Sequence, residues 1–132
     1  MTERVCAISG KEKRIDMSLE KRKLHGQVRL RIYGDELIFG PGVAQLMELV
    51  EKTGSLSEAC RQMKMAYSKG WKIVKRAEDN LGFSLMDGTS GGKCGGRMIL
   101  TEQGKDFLER YQAMDAELKK DAQTLFEKYF EN

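Results

Sequence analysis

Tyr67-Ser68-Lys69-Gly70-Trp71-Lys72-Ile73-Val74-Lys75-Arg76-Ala77-Glu78-Asp79-Asn80-Leu81 is the stretch on which the fold turns. Trp71, Val74, Ala77 and Leu81 recur at helical spacing and make one apolar stripe. Ser68, Lys69, Lys72, Lys75 and Arg76 cover the other side, and no acid interrupts them before Glu78. Gly82 follows as a left-handed C-cap. The spacing therefore predicts a helix over about 67–81 with a core face and a cationic face. Trp71 invites a stacking role, but its position on the stripe assigns it to the core.

Upstream, Ser55-Leu56-Ser57-Glu58 opens a shorter helix, and Ser55 with Glu58 has the spacing of a capping box. Leu56, Ala59, Cys60 and Met63 supply its buried face, and Met65-Ala66 make the turn into the longer helix. Before it, Val43, Leu46, Met47 and Val50 form the stripe of a helix over about 41–52, opened by Pro41 and closed by Gly54. Val28, Leu30 and Ile32 alternate with Arg29, Arg31 and Tyr33, Gly34-Asp35-Glu36 turns, and Leu37-Ile38-Phe39 returns, which reads as a hairpin. Residues 1–24 form a basic arm with few apolar positions, in which Val5, Ala7 and Ile8 suit a short strand.

Downstream, Phe83 to Met86 and Met98 to Leu100 read as two strands around Asp87-Gly-Thr-Ser-Gly-Gly-Lys-Cys-Gly-Gly-Arg97, which has five glycines in eleven residues. Thr101 caps a final long helix. Along it Phe107, Tyr111, Met114, Leu118, Ala122, Leu125 and Tyr129 follow at spacings of three and four, close to a coiled-coil seam. The fold class is mostly α with a small β component. It is a winged helix-turn-helix over 25–100 with an N-terminal hairpin, the arm before it, and a long dimerisation helix over 101–132.

Three consecutive helices, the last with a basic outer face, followed by a hairpin, suit a protein that lays one helix in the major groove of double-stranded DNA. Such a groove is bordered by phosphates, so the face that enters it must be cationic. Lys69, Lys72, Lys75 and Arg76 put four cations into eight residues. The net charge of the chain is only +3. Ser68, Lys69 and Lys72, near the helix start, aim at base edges; Lys75 and Arg76, further along, aim at phosphates. The glycine-rich wing permits close backbone approach to phosphate, and Lys93 and Arg97 add charge there. It lacks the Gly-Lys-Ser/Thr ending of a nucleotide-binding loop and lies between strands.

Charge is unevenly placed along the chain. Residues 1–100 carry 18 Lys/Arg against 12 Asp/Glu, whereas residues 101–132 carry 5 against 8. A basic body with an acidic helical tail fits a polyanion-binding face and a separate element for self-association. Cys6, Cys60 and Cys94 are far apart, His25 is the lone histidine, and no zinc spacing or catalytic pairing occurs. An enzyme is not expected, nor is a cofactor or metal, and no small-molecule effector is assignable. Cys94 beside Lys93 reads as a passive substitution. With no signal peptide and no apolar run of membrane length, the expectation is a cytoplasmic protein.

Phe39-Gly-Pro-Gly-Val-Ala-Gln-Leu-Met-Glu-Leu49, Thr53-Gly-Ser-Leu-Ser-Glu-Ala59, Met65-Ala-Tyr-Ser-Lys-Gly-Trp71, the wing Thr89–Arg97 and Leu100-Thr-Glu-Gln-Gly104 together resemble the N-terminal DNA-binding domain of ModE, the molybdate-responsive transcription regulator. The resemblance covers about Gln27 to Tyr111. LysR-type regulators share the Thr-Gly-Ser-x-Ser-x-Ala and Leu-Thr-x-x-Gly elements, whereas Tyr67 to Trp71 with the glycine-rich wing is more particular to ModE.

The resemblance implies a LysR-like winged-helix homodimer on a palindromic operator. DNA contacts then fall on Tyr67, Ser68, Lys69 and Lys72 and on the wing from Gly91 to Arg97. It implies dimerisation through the helix after the wing, where Phe107, Tyr111, Met114, Leu118, Leu125 and Tyr129 lie. The C-terminal molybdate-binding domains of ModE have no counterpart before Asn132, so oxyanion sensing is not carried over. The alternative is a winged-helix module that binds another protein, with the tail seam as its docking surface and the basic helix incidental.

Overall fold

A computed structural model describes residues 24–88 and 97–131. Val5, Ala7, Ile8, Lys93 and Cys94 lie outside them. The chain divides into two units, Val28–Lys119 and residues 1–27 with 120–132. In the first, β1 (Ile32–Tyr33) and β2 (Leu37–Phe39) form an antiparallel hairpin with a bulge at Ile32/Tyr33. Then come α1 (Pro41–Thr53), α2 (Leu56–Gln62) and α3 (Tyr67–Leu81). A second hairpin, β3 (Met86–Gly88) with β4 (Met98–Leu100), leads into α4 (Glu102–Phe130). The architecture is that of a winged helix-turn-helix with a long C-terminal helix.

Helix ends follow local chemistry. Gly54 at φ +74° and Gly82 at φ +85° take the left-handed conformation and close α1 and α3 by donating to Val50 and Glu78. Ser55 Oγ accepts the Glu58 amide at 2.9 Å, which is half of the expected capping box. The other half is absent: the Ser55 amide goes to Thr53 Oγ1 at 3.2 Å, and Glu58 turns its carboxylate to Arg61 and Gln62. Those hydrogen bonds, Arg61's first, hold Glu58 down at about 2. Thr101 Oγ1 caps α4 by accepting from Gly104 N at 2.9 Å and donates to the Ser84 carbonyl at 2.6 Å.

The core of this unit gathers Phe39, Leu46, Met47, Val50, Cys60 and Leu85, all essentially inaccessible. Removing each such large side chain from water contributes ~1.5–3 kcal/mol. Phe39 is the hub, with Phe107 and Tyr111 edge-on at ring centroid distances of 4.7 and 5.0 Å.

The second strand pair begins later than its apolar run suggests. Glu78 Oε2 takes the Leu85 amide at 2.8 Å and the Met86 amide at 3.4 Å. The chain is thus turned back onto α3 before pairing starts, and Phe83 packs toward Phe107 instead. Met98 N donates to the Gly54 carbonyl at 2.9 Å, fastening β4 to the turn between α1 and α2. In the second unit Phe126 and Phe130 stack on successive turns of α4 at 5.0 Å.

Candidate nucleic-acid interface

What fixes the outward face of α3 is a glycine. Gly70, Val74 and Ala77 are its buried residues. A Cβ on Gly70 would stand 2.3 Å from Cys60 Sγ, so α2 and α3 touch at a point where no side chain fits. Trp71 lies one residue, and so about 100°, further round the helix. It is 47% exposed, which corrects its assignment to the core. The stripe runs through Gly70, and the indole is on the surface.

Tyr67, Ser68, Lys69, Lys72, Lys75 and Arg76 are all exposed along the same helix. The turn before it spans Met63 to Ala66, with Lys64 at φ +57° and the Met65 amide bonded to the Cys60 carbonyl at 3.0 Å. Ala66 at the N-cap offers no side-chain acceptor, and the first turn of α3 holds no acid. The positive end of the helix dipole therefore stands beside Ser68 and Lys69 with no protein anion to neutralise it in that turn. Lys75 is partly engaged along the helix, with Nζ 5.8 Å from the Trp71 ring centroid and 3.7 Å from Glu78 Oε1.

Arg97 enters the wing's second strand, and its guanidinium lies against Gly54, 2.6 Å from where a Cβ would be. Gly54 is constrained by its left-handed backbone, whereas the guanidinium is the end of a flexible side chain that can shift. Arg97 is an exposed residue of the same unit as α3.

The seam on α4 splits by environment. Tyr111 is 6% exposed, donates its hydroxyl to the Leu30 carbonyl at 2.7 Å, and has its pKa raised, first by burial and then by Asp115. Phe107 and Leu118 are half-buried against the chain's own core. Leu108, off the seam, is buried as well. Met114, Leu125 and Tyr129 are exposed. A groove of about 530 Å³ is lined by Ile32, Phe83, Phe107, Tyr111 and Met114 together with charged residues of α4.

Among the described residues no group of three or more His, Cys, Asp or Glu is placed to hold a metal, and no helix is long and apolar enough to cross a membrane.

Residues 44–105 match the bacterial regulatory helix-turn-helix protein, lysR family. The chain is similar to the molybdenum-pterin-binding protein MopB of Rhodobacter capsulatus, 31% identical over 75 residues, which cover 57% of this chain and 28% of that protein. It is similar to the molybdenum transport protein ModE of Azotobacter vinelandii, 26% identical over 73 residues, 55% of this chain and 27% of that one. It also matches the HTH-type transcriptional regulator CrgA of Neisseria meningitidis serogroup B, 36% identical over 69 residues, 52% of this chain and 21% of that protein. The matched residues thus span less than a third of the length of these relatives. With the three helices and the second hairpin in place, residues 44–105 form a helix-turn-helix similar to that of the lysR family, and over the same half of the chain they are ModE-like.

Proposed function

We propose that the protein is a transcription regulator that binds a palindromic operator as a homodimer, with α3 in the major groove. The observation that carries this is the division of α3. Its small residues Gly70, Val74 and Ala77 face the core, and Ser68, Lys69, Lys72, Lys75 and Arg76 stand exposed in one run. A duplex major groove is what such a helix fits, since cations along its face neutralise the bordering phosphates. Ser68, Lys69 and Lys72 contact base edges, while Lys75 and Arg76 contact phosphates, with Tyr67 at the helix start. Lys93 and Arg97 of the wing add contacts alongside. The regulatory role in the name of CrgA supports the reading; the molybdenum in the names of MopB and ModE is said of those proteins alone.

The homodimer rests on the large apolar residues left exposed on α4, namely Met114, Leu125 and Tyr129. Phe107, Tyr111 and Leu118 precede and intersperse them on the same apolar stripe of the helix.

Selection from random duplexes at physiological salt tests the whole reading. A palindromic consensus is the expected result. Replacing Lys69, Lys72 and Arg76 together by Ala should abolish the selected preference, and binding that persists unchanged refutes the groove assignment. Weak retention that is salt-sensitive and indifferent to sequence points instead to a module that binds another protein.

A further inference from the structure

Trp71 is a large apolar side chain left exposed beside the cationic run of α3. We infer that it reads the methyl group of a thymine at one fixed position in each operator half-site. This rests on α3 lying in the major groove, as proposed above.

Burial within the chain does not account for the indole. Gly70 takes the core position, and Trp71 is left 47% exposed, with Tyr67 one turn before it at 52%. The two aromatic residues are i, i+4 neighbours on one flank of the helix, and Lys75 continues the row another turn on. Lys75 Nζ lies 5.8 Å from the centre of the Trp71 ring and 3.7 Å from Glu78 Oε1. A cation over the ring face, itself near a carboxylate, is a modest attraction that favours this placement of the indole along the helix.

The chemistry of the surroundings selects the occupant. Ser68, Lys72 and Lys75 border Trp71 on its exposed side, and no acid stands among them before Glu78. A polyanion suits that setting. Within a groove walled by phosphates, base pairs offer donors, acceptors and one apolar feature, the thymine C5 methyl group. An indole has a single donor and no acceptor, so it makes no paired hydrogen bonds to a base edge, yet its hydrocarbon surface fits a methyl group. Trp71 also lies in the N-terminal third of α3, the part of a recognition helix that reaches bases.

The test uses the duplex selected by the full chain, in which each thymine is replaced in turn by deoxyuridine. That change deletes the methyl group and nothing else. At one thymine per half-site, deoxyuridine should weaken the wild-type chain about fourfold, the worth of one buried methyl group. The same replacement should leave Trp71→Ala indifferent at that position. Selection with Trp71→Ala should return the same palindrome with thymine no longer preferred there, and its salt-sensitive binding to random duplex should match the wild type, which confirms that it folds. Equal losses in the two proteins at every thymine, or an unchanged consensus for Trp71→Ala, overturns the inference and leaves DNA binding standing. A wild-type chain that selects no sequence overturns both.

Discussion

Tyr111 illustrates how much a single hydroxyl decides. Its ring sits edge-on to Phe39, and its oxygen reaches back 81 residues to the Leu30 carbonyl. Burial, then the carboxylates of Asp115 and Glu48, raise its pKa above the ordinary 10.0, while Arg31 opposes them. The folded state thus favours the neutral phenol. That contribution to stability is complete below pH 10 and is lost as pH rises through the higher folded value. Tyr111→Phe should cost ~1 kcal/mol in denaturant unfolding at neutral pH, the net worth of one hydrogen bond. It should also flatten the loss of stability above pH 10. A variant that is equally stable and has the same alkaline limb would show that the hydroxyl contributes neither. Glu58 gives the opposite lesson at this scale. Its spacing from Ser55 announces a capping box, but a bidentate arginine three residues on outcompetes the Ser55 amide for the carboxylate. Spacing specifies which partners are within reach, and the stronger charged donor takes the group.

At the scale of elements, the contact between α2 and α3 depends on an absent side chain. Apolar periodicity places α3 correctly from Tyr67 to Leu81 and finds its Gly82 cap, yet it chooses Trp71 over Gly70 as the inward residue. The reason is physical. Periodicity weighs hydrophobic side chains, and the residue at the closest approach has none, because Cys60 Sγ occupies the space. The available signal was the glycine itself, which costs ~1 kcal/mol in a helix interior and so calls for a packing reason. Gly70→Ala should therefore destabilise the protein by ~1–3 kcal/mol despite its better helix propensity. In a Cys60→Ala background the same substitution should be nearly neutral, giving a coupling of ~0.5–3 kcal/mol in thermal or denaturant melts. An equal cost in both backgrounds would rule out the sulfur as the obstacle. Gly104 offers no such relief, since a Cβ there meets the Leu85 carbonyl oxygen at 2.2 Å, and backbone cannot step aside.

At the scale of the whole molecule, α4 is where intrachain and interchain burial are hardest to separate by sequence. One seam runs from Phe107 to Tyr129, but a stripe of apolar residues looks the same whether its own chain or another covers it. Phe107 and Tyr111 are committed to Phe39, while Leu125 is 52% and Tyr129 68% exposed. Ion pairs at i, i+4, Asp106 with Arg110 and Asp115 with Lys119, support the helix by only a few tenths of a kcal/mol each. Exposed leucine and tyrosine near the end of such a helix are what a second copy would cover, and a dimer would set two recognition helices about 34–36 Å apart. Replacing Leu125 and Tyr129 together by Asp should then convert a dimer to a monomer in sedimentation at micromolar concentration. The monomer should bind an isolated half-site as well as the wild type does and lose the gain from a second half-site one turn away. A double variant that still sediments as the wild type, or that keeps full affinity for the two-half-site duplex, would remove these residues from the dimer contact. Reading the half-site and the full site side by side makes the result specific, because damage to α3 would weaken both, whereas loss of pairing weakens only the second.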